Sequence, residues 1–465
     1  MKNWTGKELI KLGCPEGRVI GNLLRTINKT PHSTDEVLAL IEAQKPPPAL
    51  ELHAQPAPCE YNITADTADE RANLDAVRAT MSVVLRTPCV IEGVVMPDAC
   101  PAGPVGTIPV GGVVATKDAI VPGMHSADIC CSLMATVFKG DVSPAAVLDA
   151  AHKQTHFGPG GRDERPMPMS DALREKVDAL PYPAVRQTAA SHLGTQGDGN
   201  HFLYVGTLES TGQTVMVTHH GSRAPGARLF KVGKEIAERY RKQLSPDTHP
   251  ANAWIPYHSD DGKRYWDALQ VIRDWTKENH SCLHEATANA VATAVDTRFW
   301  NEHNFVFREV VVGDNGETDE GVIWHAKGAT PVHTPLLPDT NGVQIIPLNM
   351  AEPILFVKGT RHAKNRGFAP HGAGRNMSRT KHKKRFVGIA DEEVYAKETQ
   401  AIDARFYCGK PDISELPSAY KNAAAVQRDI ARFDLCDIID RVQPYGCIMA
   451  GDWKTDPPWR KKKKR

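Results

Sequence analysis

The residues with the clearest chemical potential lie in one short segment that begins at His371 and ends at Arg379. Gly372 and Gly374 would let backbone N–H groups approach phosphate oxygens closely, and the guanidinium groups of Arg375 and Arg379 match those oxygens with a planar fork. An imidazole nitrogen is also a competent phosphoryl acceptor. The segment therefore indicates a phosphate site that contains a nucleophile, although a glycine-rich, basic loop is more often an ordinary turn.

A second set of reactive residues, with carboxylate, thiolate and imidazole donors, is spread over four segments upstream. Donors of these types can converge from distant segments on borderline divalent ions such as Mn, Fe, Co or Zn. Their spacing does not fit a zinc finger, and each histidine alone is equally well explained as a hydrogen-bonded structural residue. The metal hypothesis therefore depends on the segments taken jointly. They are Asp128–Cys131, Gly197–Phe202, His219–Arg223 and Glu302–Asn304.

Taken together and in this order, the segments resemble the RtcB family of RNA ligases, which join RNA ends in tRNA splicing and RNA repair. The similarity runs from about Val90 to about Gly451 and also includes Met96-Pro97-Asp98 and Ile345-Ile346-Pro347. No single segment is decisive, but their number and order argue against a chance match. The resemblance implies an α+β fold, with one large catalytic domain whose layered sheets surround a central dimetal cleft.

The resemblance also implies roles for individual residues. His371 corresponds to the histidine that becomes guanylylated, and Cys131 to a thiolate shared by two metal ions, so GTP and two Mn²⁺ ions are the implied cofactors. The implied metal ligands are Asp128, Cys131, His201, His219 and His303. The implied nucleotide contacts are Asn200, Gly372, Ala373, Gly374 and Arg375.

The reaction implied by the resemblance is a sequence of transfers. The histidine attacks the α-phosphate of GTP, GMP passes to an RNA 3′-phosphate, and a 5′-hydroxyl then displaces GMP to seal the strand. A 2′,3′-cyclic phosphate is first opened to the 3′-phosphate. The residues also suit this chemistry on physical grounds, because phosphoryl transfer depends on positioning and on charge neutralisation, which two ions about 3.5–4 Å apart provide.

Two other functions remain open from the sequence. A dimetal centre of this kind could hydrolyse or modify RNA phosphate ends, or transfer a different nucleotide. A non-enzymatic RNA-binding protein is the other alternative, but it would not need His371, Cys131 and Asp128 together.

The expected base pocket departs from the family pattern. Tyr204 stands where the family usually has a glutamate, Leu348-Asn349 replaces a Gly-Ser pair, and Ile354 replaces a serine. The family chain normally ends in Lys-Gly with the lysine on the guanine ring, whereas Ala450-Gly451 is followed here by fourteen residues. These differences predict looser guanine selectivity, unless Asp452 to Lys454 rebuild the pocket.

Two basic clusters could hold RNA phosphates, because neutralising phosphates releases counterions and gives affinity without sequence preference. The cluster after the nucleophile includes the expected RNA contacts Arg379, Lys381, Lys383 and Lys384. The other cluster ends the chain at Arg460–Arg465, where a solvated tail is the alternative. The expected partner is RNA with 3′-phosphate or 2′,3′-cyclic phosphate ends and 5′-hydroxyl ends.

Composition is that of an ordinary globular enzyme. The chain has 465 residues, of which 41% are hydrophobic, and a net charge of +1, so a large core is expected. No apolar run is long enough for a membrane span and no leader precedes the chain, which predicts a cytoplasmic protein. Ten scattered cysteines fit a reducing compartment. A monomer is the default expectation.

The N-terminal region predicts a small separate helical module. Helical periodicity covers Lys7 to Leu12, Val19 to Ile27 and Thr34 to Ala43, with Ser33 or Thr34 as a cap. The segment Thr5 to Leu24 resembles the small C-terminal helical module of tRNA nucleotidyltransferases, which implies an RNA-binding accessory; a packing appendage is the alternative. The expected divisions are a helical module at 1–45, a Pro-rich linker at 46–60, a catalytic domain at 61–451 and a basic tail at 452–465.

Beyond the linker, short apolar β-rich runs alternate with helical patterns, which is typical of an α+β domain. The expected strands include Val110 to Ala115, Met134 to Phe138, Val215 to Thr218 and Ile354 to Lys358. The expected helices include Ala72 to Leu85, Leu229 to Gln243, Asp267 to Asn279 and Tyr420 to Arg432. Surface loops are expected at Pro159 to Pro168 and Ser245 to Asp261.

Overall fold

Helices and strands are interspersed along the chain, which confirms the α+β class. The computed structural model describes residues 3–14, 17–43, 49–162, 165–312, 318–337 and 340–453. The α-helices are α1 (Gly6–Lys11), α2 (Arg18–Ile27), α3 (Thr34–Glu42), α4 (Ala68–Val84), α5 (Pro144–Gln154), α6 (Asp171–Asp178), α7 (Pro183–His192), α8 (Arg223–Leu244), α9 (Asp260–Ala290), α10 (Arg379–Lys384), α11 (Asp391–Thr399) and α12 (Ala423–Arg432). The strands are β1 (Cys59–Tyr61), β2 (Val90–Cys100), β3 (Val110–Lys117), β4 (Ala119–Ile120), β5 (Ser132–Phe138), β6 (Phe202–Leu208), β7 (Thr214–His220), β8 (Ile255–Pro256), β9 (Val295–Glu302), β10 (Asn304–Val312), β11 (Thr318–Lys327), β12 (Ala329–Pro331), β13 (Gln344–Ile346), β14 (Ile354–Lys358), β15 (Phe368–Pro370), β16 (Asp403–Phe406) and β17 (Asp437–Met449).

The chain divides into two compact units, the first comprising residues 1–51 with 242–246 and the second the remainder. In the first unit, α1 to α3 enclose a small apolar core that includes Leu9, Ile27 and Val37. Capping boxes begin two of the helices, and the cap of α3 is Ser33, whose side chain accepts from the Glu36 N–H. The three expected N-terminal helices are therefore confirmed.

The second unit begins at Leu52, earlier than the expected start of the catalytic domain at residue 61. The N–H of Ala57 donates to the carbonyl of Leu85 at 3.0 Å, and β1 pairs in parallel with β2. Residues 52–60 are thus tied to the second unit by backbone hydrogen bonds, which a free linker would not make. The prolines at 46–48 of the expected linker lie outside the described residues.

A five-stranded sheet in the order β1-β2-β3-β11-β10 forms one layer of the second unit. The pairing of β2 with β3 shifts register between Val95 and Cys100. An irregularity of this kind re-aims side chains at the end of a strand. Here the irregular stretch contains Asp98, whose side chain is fully buried.

An eight-stranded sheet forms the second layer, with β13-β14-β17-β6-β7-β5-β9 as its path and β16 beside β17. Because side chains alternate along a strand, each strand serves two environments. On β7, Val215 and Val217 join one apolar cluster, whereas Met216 joins another together with Ala151 of α5 and Ala288 of α9. The face opposite those two helices borders the cavity described below.

Two short strand pairs complete the topology of the described residues: β12 with β15, and β4 with β8. The second pair corrects the expected surface loop at Ser245 to Asp261, because that segment carries β8 and buries Trp254 and Ile255. Helix α12 begins at Ala423, three residues after the expected start at Tyr420. None of the helices in the described part of the chain has the length and apolar composition needed to cross a bilayer.

Candidate active site

A cavity of about 690 Å³ in the second unit contains most of the residues singled out from the sequence. One part is lined by four of the five candidate metal ligands and by His371, another by apolar side chains, and a third by Ser378, Arg379 and Lys381 together with residues of α4. The size and mixed lining suit a small-molecule site.

Strand alternation decides which donors face the cavity. His219 and His220 are adjacent on β7, but only His219 shares the face of Val215 and Val217. His220 points to the opposite face, where its ring stacks on that of His280 in α9 with centroids 3.5 Å apart. This is why His219 joins the candidate metal centre and His220 does not.

The five expected metal ligands converge in two overlapping groups that share one thiol. Cys131, His219 and His303 form the first group, and Asp128, Cys131 and His201 form the second, with the ligand atoms of each group within 4.8 Å of one another. Sγ of Cys131 lies 3.2 Å from Nε2 of His219 and 3.6 Å from Nε2 of His201. A shared sulfur between two donor groups is the arrangement that a bridged pair of ions requires.

The outer ring nitrogens of two of these histidines fix which nitrogen faces the centre. Nδ1 of His201 lies 2.7 Å from the carbonyl of Gln196, and Nδ1 of His219 lies 3.2 Å from the carbonyl of Asn200. A carbonyl oxygen only accepts, so both Nδ1 atoms carry a proton and both Nε2 atoms point inward as the possible ligand atoms. Nε2 atoms that converge in this way fit a metal site whose ligands are oriented by backbone carbonyls.

The protonation states agree with this arrangement. Burial holds the pKa values of His219 and His303 well below the ordinary range, so both rings are neutral donors. Desolvation alone would raise the pKa of Asp128, but the adjacent His201 lowers it to about 2. Burial and the nearby Asp128 raise the pKa of the Cys131 thiol, so a bound cation would be needed to hold it as a thiolate.

His371 lies beside this centre, and one of its ring nitrogens is already hydrogen-bonded. Its ring centroid is 4.8 Å from that of His303. Nδ1 of His371 lies 2.5 Å from Oδ2 of Asp98, and the His371 backbone N–H donates to the same oxygen at 3.1 Å. A carboxylate bound to Nδ1–H leaves the lone pair on Nε2, so Nε2 is the ring nitrogen that could act as a nucleophile.

Two glycines allow the chain to approach this pair closely. Gly374 has φ +69° and a Cβ there would lie 1.9 Å from the carbonyl oxygen of Asp98. Gly328, also at φ +69°, would place a Cβ 2.9 Å from Cε1 of His371. Any side chain at either position would displace Asp98 or His371.

Arg375 and Arg379, the expected phosphate contacts, share one buried carboxylate. Glu415 accepts from Nη2 of Arg375 and from Nε of Arg379, each at 2.6 Å, and from the Tyr420 hydroxyl at 2.6 Å. The Arg375 guanidinium also lies 4.5 Å from the centre of the Tyr420 ring. Glu415 therefore positions both arginines and cancels part of their charge.

Only some of the basic residues after His371 lie at the exposed side of the cavity. Lys381 on α10 lies 3.5 Å from Asp69 of α4, and both are exposed. Lys383 pairs with Asp412 at 2.9 Å and donates to Asp452 at 3.4 Å, and neither it nor Lys384 lines the cavity. Arg379 and Lys381 are therefore the expected RNA contacts that reach the cavity itself.

The apolar part of the cavity, here called the apolar wall, carries the departures noted from the sequence. Its members are Phe202, Tyr204, Leu348, Ile354, Cys447 and Met449. The Tyr204 hydroxyl donates to the Val442 carbonyl at 3.0 Å. Leu348 and Ile354 are fully or almost fully buried, so this wall presents carbon and sulfur.

The residues at the end of β17 divide between the cavity and the opposite face of the sheet. Met449 lies on the cavity face, whereas Ala450 packs on the opposite face with Leu203 and Ile448. Trp453 also leaves the cavity and lies against Gly158 and Tyr407. Within the described residues, Met449 therefore lines the cavity and Ala450 does not. The expected role of Lys454 falls outside the described residues.

Sequence reasoning missed three polar residues of this site. In the sequence, Asp98 stands out only as part of a segment similar to the family, and Glu415 does not stand out at all. Lys327 also lines the cavity, and its Nζ donates to the Ile108 carbonyl at 3.0 Å. Asp98 lies in a segment already matched, which could have drawn attention to it. Glu415 and Lys327 carry no local signal, since isolated charged residues usually lie on solvated surfaces.

Comparison with known proteins identifies the family. A family model described as tRNA-splicing ligase RtcB matches residues 158–450. The RNA-splicing ligase RtcB of Escherichia coli strain K12 is 27% identical over 376 residues, which cover 73% of this chain and 86% of that protein. The tRNA-splicing ligase RtcB of Aeropyrum pernix is 29% identical over 303 residues, covering 56% of this chain and 61% of that protein. Since the family model spans more than half of the sequence, the chain belongs to the RtcB family.

Proposed function

We propose that this protein is an RNA ligase that joins RNA 3′-phosphate or 2′,3′-cyclic phosphate ends to 5′-hydroxyl ends, with GTP as donor and two Mn²⁺ ions as cofactors. Family membership and the names of the relatives support RNA ligation. The proposed transfer through His371 rests on one observation. His371 has Nδ1 bound to a buried carboxylate, and its ring lies 4.8 Å from the ring of His303 in the candidate metal centre.

His371 is the proposed carrier of the nucleotidyl group. Its Nε2 lone pair attacks the α-phosphorus of GTP, a nitrogen–phosphorus bond forms, the bond to the bridging oxygen breaks, and pyrophosphate leaves. Asp98 accepts the Nδ1–H bond throughout and stabilises the positive charge that develops on the ring. The ions, held by Asp128, Cys131, His201, His219 and His303, would neutralise charge on the phosphate oxygens when bound.

The RNA steps use the exposed side of the cavity. An oxygen of the RNA 3′-phosphate attacks the histidine-bound phosphorus and releases His371. The 5′-hydroxyl then attacks the activated 3′-phosphate, loses its proton and displaces GMP. Lys327, Arg379 and Lys381 line the cavity and supply cations for the RNA phosphates.

We also propose roles for the two units and for the C-terminal residues. The second unit would carry the catalysis, and the N-terminal helical unit would act as an RNA-binding accessory. A cytoplasmic location, a monomeric state and RNA contacts by the basic C-terminal residues belong to the same proposal.

Labelling tests the carrier role of His371. Incubation with Mn²⁺ and GTP labelled at the α-phosphate should transfer label to the protein, through a bond that is labile in acid and stable in base. His371→Ala should abolish the label yet still seal RNA whose 3′-phosphate already carries a guanylate cap. Failure of that variant to seal capped RNA would show a structural or later role for His371.

The same RNA substrates separate ligation from the alternative activity. A protein that removes or opens terminal phosphates without joining ends, and that takes up no nucleotide label, would be a dimetal phosphoesterase. Joined product that requires all of GTP, Mn²⁺ and His371 supports the ligase.

A further inference from the structure

We propose that the nucleotide pocket of this protein does not read guanine, and that ATP serves as a nucleotidyl donor alongside GTP. This inference rests on the proposed function. It follows from the chemistry of the apolar wall and from the position of that wall relative to the open side of the cavity.

The cavity has a closed side and an open side. Tyr204, Ile354 and Met449 of the apolar wall are each at least 96% buried. On the other side, Asp69 and Ala72 of α4 and Lys381 of α10 are exposed. A polymer must enter from the open side, so the closed side is left for the base of a mononucleotide whose phosphate lies at His371.

The closed side offers little to recognise a guanine edge. The acidic side chains that line the cavity, within the described residues, are Asp69, Asp128 and Glu415. Asp69 lies at the exposed side, Asp128 belongs to the candidate metal centre, and Glu415 is bound to two arginines. None of these carboxylates is on the apolar wall, so none is placed to accept from N1–H and the N2 amino group of guanine.

The polar atoms nearest the wall could favour one purine over the other only weakly. The hydroxyl proton of Tyr204 is directed at the Val442 and Glu352 carbonyls, at 3.0 and 3.3 Å. Asn349 lines the cavity, and its Oδ1 already accepts from the Ala351 N–H at 2.9 Å, so its amino group is the group more available to a base. A neutral donor of that kind can meet N7, which both purines share, or O6 of guanine, and one such bond is worth on the order of 1 kcal/mol, less than about a tenfold preference.

Apolar contact and dispersion depend on ring area, which the two purines have in common. A site that pairs with a distinguishing polar group can reject an analogue by about 10⁴–10⁵-fold, whereas apolar pockets discriminate isosteres by only about 10²-fold or less. We therefore expect GTP and ATP to label His371 with efficiencies within about tenfold of each other, since they differ in exocyclic groups that this wall does not bind. The smaller pyrimidine nucleotides should label less.

A labelling panel tests the inference directly. The full-length protein with Mn²⁺ is incubated with GTP, ATP, CTP or UTP labelled at the α-phosphate, and His371→Ala serves as the blank. Comparable label from ATP and GTP, and loss of GMP labelling under excess unlabelled ATP, would support it. Label from GTP alone, unaffected by a hundredfold excess of ATP, would overturn it. No label from any nucleotide would instead overturn the proposed function.

Two substitutions on the apolar wall should create the discrimination that the wild type lacks. Tyr204→Glu places a carboxylate where it can accept from N1–H and the N2 amino group, and should raise the GTP-to-ATP labelling ratio by about tenfold or more. Met449→Lys offers a donor to O6 of guanine and keeps the test available if the first variant fails to fold. Tyr204→Phe is the matched control and should leave the ratio unchanged. A ratio that neither charged variant moves would place the base elsewhere and refute the inference.

Discussion

The buried carboxylate of Asp98 holds His371 at two points, accepting from Nδ1 at 2.5 Å and from the backbone N–H at 3.1 Å. Asp98 is itself held in place, because Nζ of Lys421 donates to the carbonyls of Pro97 and Ala99, both at 2.8 Å. The ring orientation of His371 is therefore set by a residue of β2, far from it in sequence. Asp98 acts as a positioning residue whose effect should be specific to the step that needs the imidazole.

Asp98→Asn should lower the rate of protein nucleotidylation while leaving the sealing of pre-capped RNA intact. The amide keeps the shape but offers an N–H towards Nδ1, which favours the wrong tautomer; in a comparable carboxylate–histidine pair the loss is about 10⁴-fold. Single-turnover labelling measures the effect. Equal loss of both steps would show that Asp98 acts on the whole site and not through His371.

Cys131→Ala should remove bound metal from both donor groups, because the thiol is the one ligand that they share. We expect the Mn²⁺ content, measured by elemental analysis after gel filtration, to fall below one ion per chain, with loss of end joining. His220→Gln is the control. Because His220 faces α9, this variant should retain its metal. Full metal content and activity in Cys131→Ala would contradict a bridging role.

Glu415→Gln should destabilise the protein and weaken nucleotidylation together. Removing one partner of a buried ion pair leaves an uncompensated charge, here on Arg375, at a cost of about 3 kcal/mol. Urea unfolding followed by fluorescence measures the free energy of unfolding. Lys381→Ala, which breaks the exposed pair with Asp69, should change that free energy by less than about 0.5 kcal/mol. Similar values for the two variants would show that the Glu415 cluster adds no stability.

Lys327 should make RNA binding depend on pH. Burial lowers the pKa of its amine to about 8, so the cation is present below that pH and is lost as pH rises through it. The affinity of the metal-free protein for a short 3′-phosphorylated RNA should therefore fall between pH 7 and 9, about one unit on either side of that pKa. Fluorescence anisotropy across this range gives the curve. Lys327→Arg stays charged and should flatten it; an unchanged curve in this variant would assign the titration to another group.

Much of the fold could be read from local patterns, and the reason is visible in particular elements. The apolar runs at Val110 to Ala115 and Ile354 to Lys358 are strands, and the N-terminal helices begin at sequence-readable caps. The family assignment and the α+β class are confirmed. The sheet order could not be predicted from the sequence, because the pairing of β3 with β11 joins residues more than two hundred positions apart.

The sequence predicted the parts of the site that residue type and order reveal. It could not predict contacts that depend on how distant strands are placed in space. The structure brings the five expected metal ligands and His371 together, although their roles stay predictions. The contact between Asp98 and His371 spans 273 positions and has no local pattern. The sequence also could not show which residues at the end of β17 face the cavity, where Met449 lines it and Ala450 does not.

The alternation of β7 has a consequence for how this chain can change over evolutionary time. Deleting or inserting one residue between Thr214 and His219 would exchange the two faces of the strand, bringing His220 into the cavity and turning His219 against α9. Length changes in this strand would therefore break up the candidate metal centre. Changes that preserve the candidate ligands are therefore limited to substitutions on the cavity face, as at Tyr204 and Met449. Such substitutions can alter specificity while the candidate ligands keep their positions.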